Sequence, residues 1–141
     1  MFTPTRDQAR DLFFETWRKY RAGQPLEGLE KLVVGVLTEH PEFHEMLDAP
    51  ERYKRADYDG ARTNPFLHLS LHLAVEEQLS IDQPPGVRAA HQQLVARHGS
   101  EHEARHHVMA CLVETLRDAQ TRGGTFDTPR YLACLEERSK P

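Results

Sequence analysis

Residues 66–79 read FLHLSLHLAVEEQL, and the fold class of the chain depends on how this stretch is interpreted. Its first half alternates leucine with histidine or serine, which is the pattern of a half-buried strand. Leucine is a strong helix former, however, β-branched residues are nearly absent, and residues 74–78 continue naturally as a helix. Asn64 and Pro65 supply an N-cap and a first helical residue. We therefore predict a helix over 66–79 and expect it to be the most buried one.

Helical signals continue on the N-terminal side of this stretch. Thr5 and Gln8 form a capping box ahead of a helix that glycine and proline soon end. A second helix is predicted from about Leu26 until Pro41 interrupts its pattern. Because the residue before a proline avoids helical backbone angles, His40 is expected to be a boundary or a kink, followed by one or two further turns.

Three more helices are predicted on the C-terminal side. The first follows the Pro-Pro-Gly sequence at 84–86, the second begins at Ser100 with Glu103 as its capping partner, and the third begins at Thr128. The sequence therefore predicts an all-α fold, an irregular bundle of five or six helices, in a single domain, 1–141.

A long charged loop is expected at residues 49–63. It contains proline and glycine and many charges, and loops of this length are uncommon in compact domains unless they are functional. Its basic and aromatic residues could contact an acidic partner or could simply be solvated; they are Arg52, Tyr53, Lys54, Arg55 and Tyr58.

Composition limits the function classes. Of 141 residues, 38% are hydrophobic and 28% charged, and the net charge is −4, so we expect one core and no electrostatic surface for nucleic acid. The sequence has no 18-residue apolar run and no basic leader ahead of an apolar stretch, so we expect no membrane insertion and a cytoplasmic location. In that reducing compartment Cys111 and Cys134, which form no CxxC motif, are expected to be buried thiols.

Histidines are clustered at helical spacing. Random placement of nine histidines in this chain would give about half a pair separated by four residues. The sequence has four such pairs, which are His40/His44, His68/His72, His98/His102 and His102/His106. Two imidazoles one helical turn apart can bind one cation, which is why this spacing is typical of zinc and iron sites.

Helical phase indicates which of these side chains face the protein interior. His68, His72 and Glu76 form one line with apolar neighbours on both sides, and a buried Glu76 needs a cation, a protonated histidine or water beside it. We predict a mononuclear or dinuclear transition-metal centre between helices, holding zinc, iron or manganese. The candidate ligands are His68, His72, Glu76, His40, His44 and His106. The remaining histidines, among them His91, His98 and His107, are expected at solvent-facing or edge positions.

Other interpretations of the same histidines stay open. They could bond backbone carbonyls and carboxylates at a crowded helix crossing, as buried histidines usually do. Their protonation between about pH 5 and 7 could also loosen the packing and create a pH switch. The alternative to a metal-binding protein is a non-catalytic interaction or adaptor protein that uses residues 49–63 to bind a protein partner or a second copy of the chain.

Catalytic residues are left unassigned, and so is the question of whether the protein is an enzyme. The sequence contains none of the motifs GxSxG, GxxxxGK[ST] and GxGxxG, which mark serine hydrolases and nucleotide-binding proteins. Neither cysteine lies in a recognisable nucleophile motif.

Several segments together are similar to a known bacterial family. They are FxPxRDQ at 2–8, FF at 13–14, WRKY at 17–20, EHPEFH at 39–44, the stretch 63–73 and EQLSIDQPPG at 77–86. The chain resembles the bacterial domain of unknown function 1841 family over nearly its whole length. The resemblance implies a protein of the proteobacterial cytoplasm and no established activity. The family's histidine segments fall on His40, His44, His68 and His72, which agrees with the predicted site.

Overall fold

A computed structural model describes residues 5–58 and 64–141 of the chain. Every secondary-structure element in these two ranges is helical, so the predicted all-α fold class is confirmed. The described elements are α1 (Arg6–Arg21), α2 (Leu29–Thr38), a single 3₁₀ turn (Pro41–Phe43), α3 (His44–Leu47), α4 (Pro50–Tyr53), α5 (Pro65–Ile81), α6 (Val87–His98), α7 (Glu101–Thr121) and α8 (Thr128–Arg138).

The predicted count of five or six helices is too low, since the described ranges contain eight α-helices. The additional ones have four residues each: they are α3, which lies in the further turns expected after Pro41, and α4, which was not predicted. A helix of one turn shows too little of the 3.6-residue period to be recognised from its apolar pattern. α4 also replaces part of the loop predicted at 49–63, and the stretch 59–63 of that prediction lies outside the described residues.

The predicted start signals are mostly confirmed. Thr5 caps α1 in a reciprocal capping box with Gln8, and the Asn64 side chain accepts hydrogen bonds from the first turn of α5. Ser100 accepts from the backbone of Glu103 at the start of α7. α8 begins at Thr128, as predicted, and Asp127 is its cap.

The start of α2 differs from the prediction. α2 begins at Leu29 and not near Leu26, because Gly28 has a φ of +51°, which ends any helical run on its N-terminal side. Its end agrees with the proline rule: α2 stops at Thr38, and His40 has an extended φ of −125° before Pro41 opens the 3₁₀ turn.

The described residues fall into two compact units, Met1–Ala74 and Val75–Pro141, and the division between them lies within α5. In the first unit, α1 packs on α2 and α3 around a core of large apolar side chains. The core includes Phe13, Phe14, Trp17, Val33, Leu37, Leu47, Phe66 and Leu69. The Trp17 indole also donates a hydrogen bond of 2.7 Å to the Asp48 carboxylate, which ties α1 to the residue after α3.

In the second unit, α6, α7 and α8 pack on one another. Tyr131 of α8 is fully buried and donates a 2.6 Å hydrogen bond to the Gln78 side chain of α5. Burial raises the pKa of the Tyr131 phenol, so this hydroxyl stays protonated and remains a donor.

The prediction of two buried thiols is wrong, because Cys111 of α7 and Cys134 of α8 form a disulfide with a Cα–Cα distance of 5.8 Å. Both cysteines lie in apolar helical patterns that turn them toward the packed interface of these two helices. A periodic pattern indicates burial but does not identify the facing residue. Of the helices in residues 5–58 and 64–141, none combines the length and the apolar character that a membrane crossing requires.

Candidate metal centre

The site in the first unit begins at the C-terminal end of α2. His40 is 3% exposed, and its Nδ1 lies 2.8 Å from the carbonyl oxygen of Val36. A carbonyl oxygen only accepts, so Nδ1 carries the proton and donates it there. In the neutral ring this leaves the lone pair on Nε2. A histidine whose second nitrogen donates to a backbone carbonyl is oriented in the way that metal ligands usually are.

The N-terminal half of α5 brings two further imidazoles to this ring. His68 and His72 lie one helical turn apart, with ring centroids at 4.8 Å. The Nε2 of His68 lies 3.2 Å from the Nε2 of His40, and the His72 ring lies 4.4 Å from the His40 ring. One ring nitrogen from each of the three histidines lies within 4.8 Å of the others. The predicted convergence of adjoining helical segments is therefore present for these three residues.

One of these distances is close to that between two nitrogens bound to the same metal. Two nitrogens bound tetrahedrally to zinc at about 2.0–2.1 Å are separated by about 3.3 Å. The 3.2 Å between the Nε2 atoms of His40 and His68 agrees with that value. Without a metal the same distance is a hydrogen bond, in which His68 donates its Nε2 proton to His40.

Two of the three rings are buried, and an aromatic side chain packs against two of them. His72 is 1% exposed, and the Phe43 ring stacks on His40 with an interplanar angle of 6°. The same phenyl ring lies 6.0 Å from the half-buried His68 ring. Burial excludes water from the imidazoles of His40 and His72 and strengthens any electrostatic interaction that these two rings make with a cation.

His44 is not brought into this group. Its Nε2 lies 2.7 Å from the carbonyl oxygen of Leu37, and its ring lies 4.4 Å from Trp17. The four-residue spacing would place His44 on the same face as His40 only if the helix continued through Pro41. The 3₁₀ turn advances by about 120° per residue instead of 100°, so the side chain at 44 emerges in a different direction.

Glu76 and His106 belong to the second unit. The Glu76 carboxylate accepts a short charged hydrogen bond from the Arg105 guanidinium of α7, and both side chains are largely buried. A buried Glu76 was expected to need a cation, a protonated histidine or water beside it, and Arg105 is that cation. No pattern in the sequence had identified Arg105 as the partner. His106 is half-buried, and its Nδ1 donates to the carbonyl of His102 at 2.9 Å, which leaves its Nε2 as the nitrogen with a lone pair.

The other histidines of the second unit form separate contacts. His98 and His107 stack at 3.9 Å, and Arg138 donates to His107 Nδ1 at 2.9 Å. His91 contradicts the expected solvent-facing or edge position, because it is buried with 7% exposure. Burial, together with the nearby Arg105 charge, lowers the pKa of His91.

Fold and site define a helical protein with three convergent histidines, two buried and one half-buried, in the part of the chain that the structure describes. The chain belongs to the family described as Domain of unknown function (DUF1841), whose model matches residues 5–137. No curated protein and no solved structure matches the chain. The family description assigns no activity, so the function has to be argued from the site.

Proposed function

We propose that the protein binds one transition-metal ion through His40, His68 and His72. The observation that carries this proposal is the 3.2 Å separation of the Nε2 atoms of His40 and His68, together with the hydrogen bond that fixes His40 Nδ1 on the Val36 carbonyl. The first distance suits two nitrogens sharing a metal, and the second sets the ring nitrogen that would bind it.

A purely structural role accounts for only part of the arrangement. The imidazoles of His40 and His44 donate to the carbonyls of Val36 and Leu37, which stabilises the end of α2. This capping does not require the Nε2 of His68 to lie against the Nε2 of His40, or the His72 ring to lie 4.4 Å from the His40 ring. A shared cation supplies a reason for their convergence.

The fourth ligand stays a prediction from the sequence. We propose His106 for this role on the helical spacing of the histidines in the sequence alone. Glu76 suits the role less well, because Arg105 already neutralises its carboxylate. His44 is proposed to support the end of α2 and not to bind the ion.

The donor set favours zinc or iron over manganese. Imidazole nitrogens suit zinc and iron, whereas manganese prefers carboxylate, carbonyl and water oxygens. A site with three protein ligands and an open position is typical of catalytic zinc, and a site closed by four ligands is typical of structural zinc. The number of protein ligands therefore decides whether this centre could support catalysis.

Metal analysis of the purified protein tests the proposal. We expect about one equivalent of zinc or iron in the wild type, and a loss of that metal in the double variant His68→Ala, His72→Ala. His44→Ala is the matched control, because it removes an imidazole from the same unit but not from the group. A wild type that is purified without metal and shows no saturable binding of zinc, iron or manganese would overturn the proposal.

We further propose a bacterial, cytoplasmic protein, as the family resemblance implies. Disulfides are rare in that compartment, so the state of Cys111 and Cys134 in living cells tests the location. Rapid acid quenching and alkylation should recover mainly free thiols. A bond that is fully formed in growing cells would contradict the cytoplasmic location.

A groove in the first unit favours a second candidate function, that of a non-catalytic interaction protein. The groove has a volume of about 810 Å³ and is lined by Trp17, Leu47 and Pro50, with Arg18 and Lys54 at polar positions. Pro50 and Lys54 come from the segment that sequence analysis proposed as a contact surface. This candidate would be favoured if the histidine variants kept the stability of the wild type and chelators had no effect.

A further inference from the structure

Arg10 of α1 is a buried cation without a carboxylate partner in the described part of the chain. It is 2% exposed, and its Nη1 donates to the backbone carbonyls of Lys54 at 2.9 Å and Ala56 at 2.7 Å. The guanidinium lies 4.2 Å from the centre of the Phe66 ring. Its Nε is buried and has no hydrogen-bond partner among residues 5–58 and 64–141. Carbonyls and an aromatic face orient the group but leave its charge uncompensated.

A second guanidinium meets the first at the same oxygen. Arg6 donates from Nη2 to the carbonyl of Ala56 at 3.1 Å and to the Asp57 carboxylate at 2.7 Å. Two cations that share one acceptor repel each other, and the Asp57 side chain is 87% exposed and therefore well screened. Burial is the largest cause of a lowered pKa at Arg10, and the charge of Arg6 is the next. An anion beside both groups would offset the desolvation and the repulsion.

Both guanidinium groups line a cavity of about 440 Å³ in the first unit. Lys54 and Arg55 add two further cations to its wall. Lys54 pairs with Asp11 at 2.6 Å, whereas Arg55 forms no ion pair with any carboxylate that the structure describes. After these pairs are counted, two cations of the wall, Arg10 and Arg55, stand against one acid, Asp7. The cavity therefore has an excess of positive charge.

We propose that this cavity binds a phosphate group, either as inorganic phosphate or as a phosphate monoester. Guanidinium groups donate parallel hydrogen bonds to two oxygens of a phosphate, and the guanidinium groups of Arg6 and Arg10, which meet at the Ala56 carbonyl, both belong to residues that line the cavity. Arg55 supplies a further charge from the segment after α4. A phosphate group also offers more acceptor oxygens than a carboxylate, which suits a cavity with several cationic donors in its wall.

Titration of inorganic phosphate, followed by ³¹P NMR or calorimetry, tests the proposal. The titration is done at constant ionic strength and with EDTA present, so that a bound metal cannot attract the anion. We expect saturable binding that weakens at least tenfold in Arg6→Gln and in Arg55→Gln. Arg52→Gln is the matched control, because Arg52 lies over the Tyr53 ring and does not line the cavity, and its affinity should equal that of the wild type.

Arg10→Lys keeps the charge of the buried residue but removes the planar fork, and it should also weaken phosphate binding tenfold or more. If this variant fails to fold, Arg6→Gln and Arg55→Gln, which change exposed residues, still test whether the cavity binds phosphate. Phenyl phosphate identifies the source of the phosphate: a higher affinity than that of inorganic phosphate indicates a monoester, and a lower one indicates the free ion. Binding that is not saturable, or is equal in all variants, or is matched by acetate, would overturn the proposal.

Discussion

The Nε2 atoms of His40 and His68 lie 3.2 Å apart, although 28 residues separate them in the chain. Two local signals produce this contact. Pro41 ends α2 and leaves His40 at a boundary where its ring can turn back onto the helix, and the register of α5 presents His68 and His72 one above the other. The position of His40 thus depends on a break in the backbone, whereas the positions of His68 and His72 depend on helical periodicity.

Removal of the metal should destabilise the protein. A ligand that binds only the folded state contributes about 2.7 kcal/mol when its free concentration is 100 times its Kd. We therefore expect EDTA to lower the free energy of unfolding of the wild type by about 3 kcal/mol, measured by urea denaturation. His44→Ala should retain this response, and the double variant His68→Ala, His72→Ala should lose it. An equal response in both variants would show that the chelator acts elsewhere.

The sequence predicted the site only where a local rule applied. The four-residue spacing of His68 and His72 predicted a shared face, and the proline rule placed His40 at a boundary. The Arg105 partner of Glu76 could not be predicted, because it lies 29 residues away on another helix. The pairing of Cys111 with Cys134 was missed for the same reason, since the pattern of one helix does not specify the residue that faces it.

Reduction of the disulfide should weaken the second unit. The bond closes a loop with a sequence separation of 23, and a loop of that length stabilises a fold by about 3 kcal/mol in the chain-entropy model. We expect dithiothreitol to lower the free energy of unfolding by this amount. Cys134→Ala should reproduce the loss and should not respond further to the reductant. A variant as stable as the oxidised wild type would contradict the expectation.

The hydroxyl of Tyr131 should contribute measurably to stability. Tyr131→Phe removes the donor of the 2.6 Å hydrogen bond and leaves the Gln78 side chain buried without it. Such a loss costs about 1–3 kcal/mol, to be measured by thermal or urea unfolding. Tyr20→Phe is the control, because Tyr20 is 44% exposed and its change should lie within about 0.5 kcal/mol of zero. Equal effects of the two substitutions would show that the buried hydrogen bond makes no net contribution.

His91 should make the stability depend on pH. Burial is the first cause and the Arg105 charge the second cause of its lowered pKa in the folded state, while the nearby Glu101 acts in the opposite direction. The unfolded chain, in which the histidine pKa is about 6.5, therefore binds the proton more readily. The stability that a neutral His91 contributes is fully present above pH 6.5 and is lost as the pH falls from there through the lowered folded-state pKa.

Burial also lowers the pKa of His107, so the difference between wild type and His91→Gln isolates the contribution of His91. The buried glutamine cannot take up a proton. The free energy of unfolding of the His91→Gln variant should therefore fall less than that of the wild type between pH 7 and pH 5. Urea denaturation at a series of pH values, with EDTA present throughout, measures both curves. Curves that stay parallel across this interval would mean that His91 binds its proton equally well in the folded and the unfolded chain.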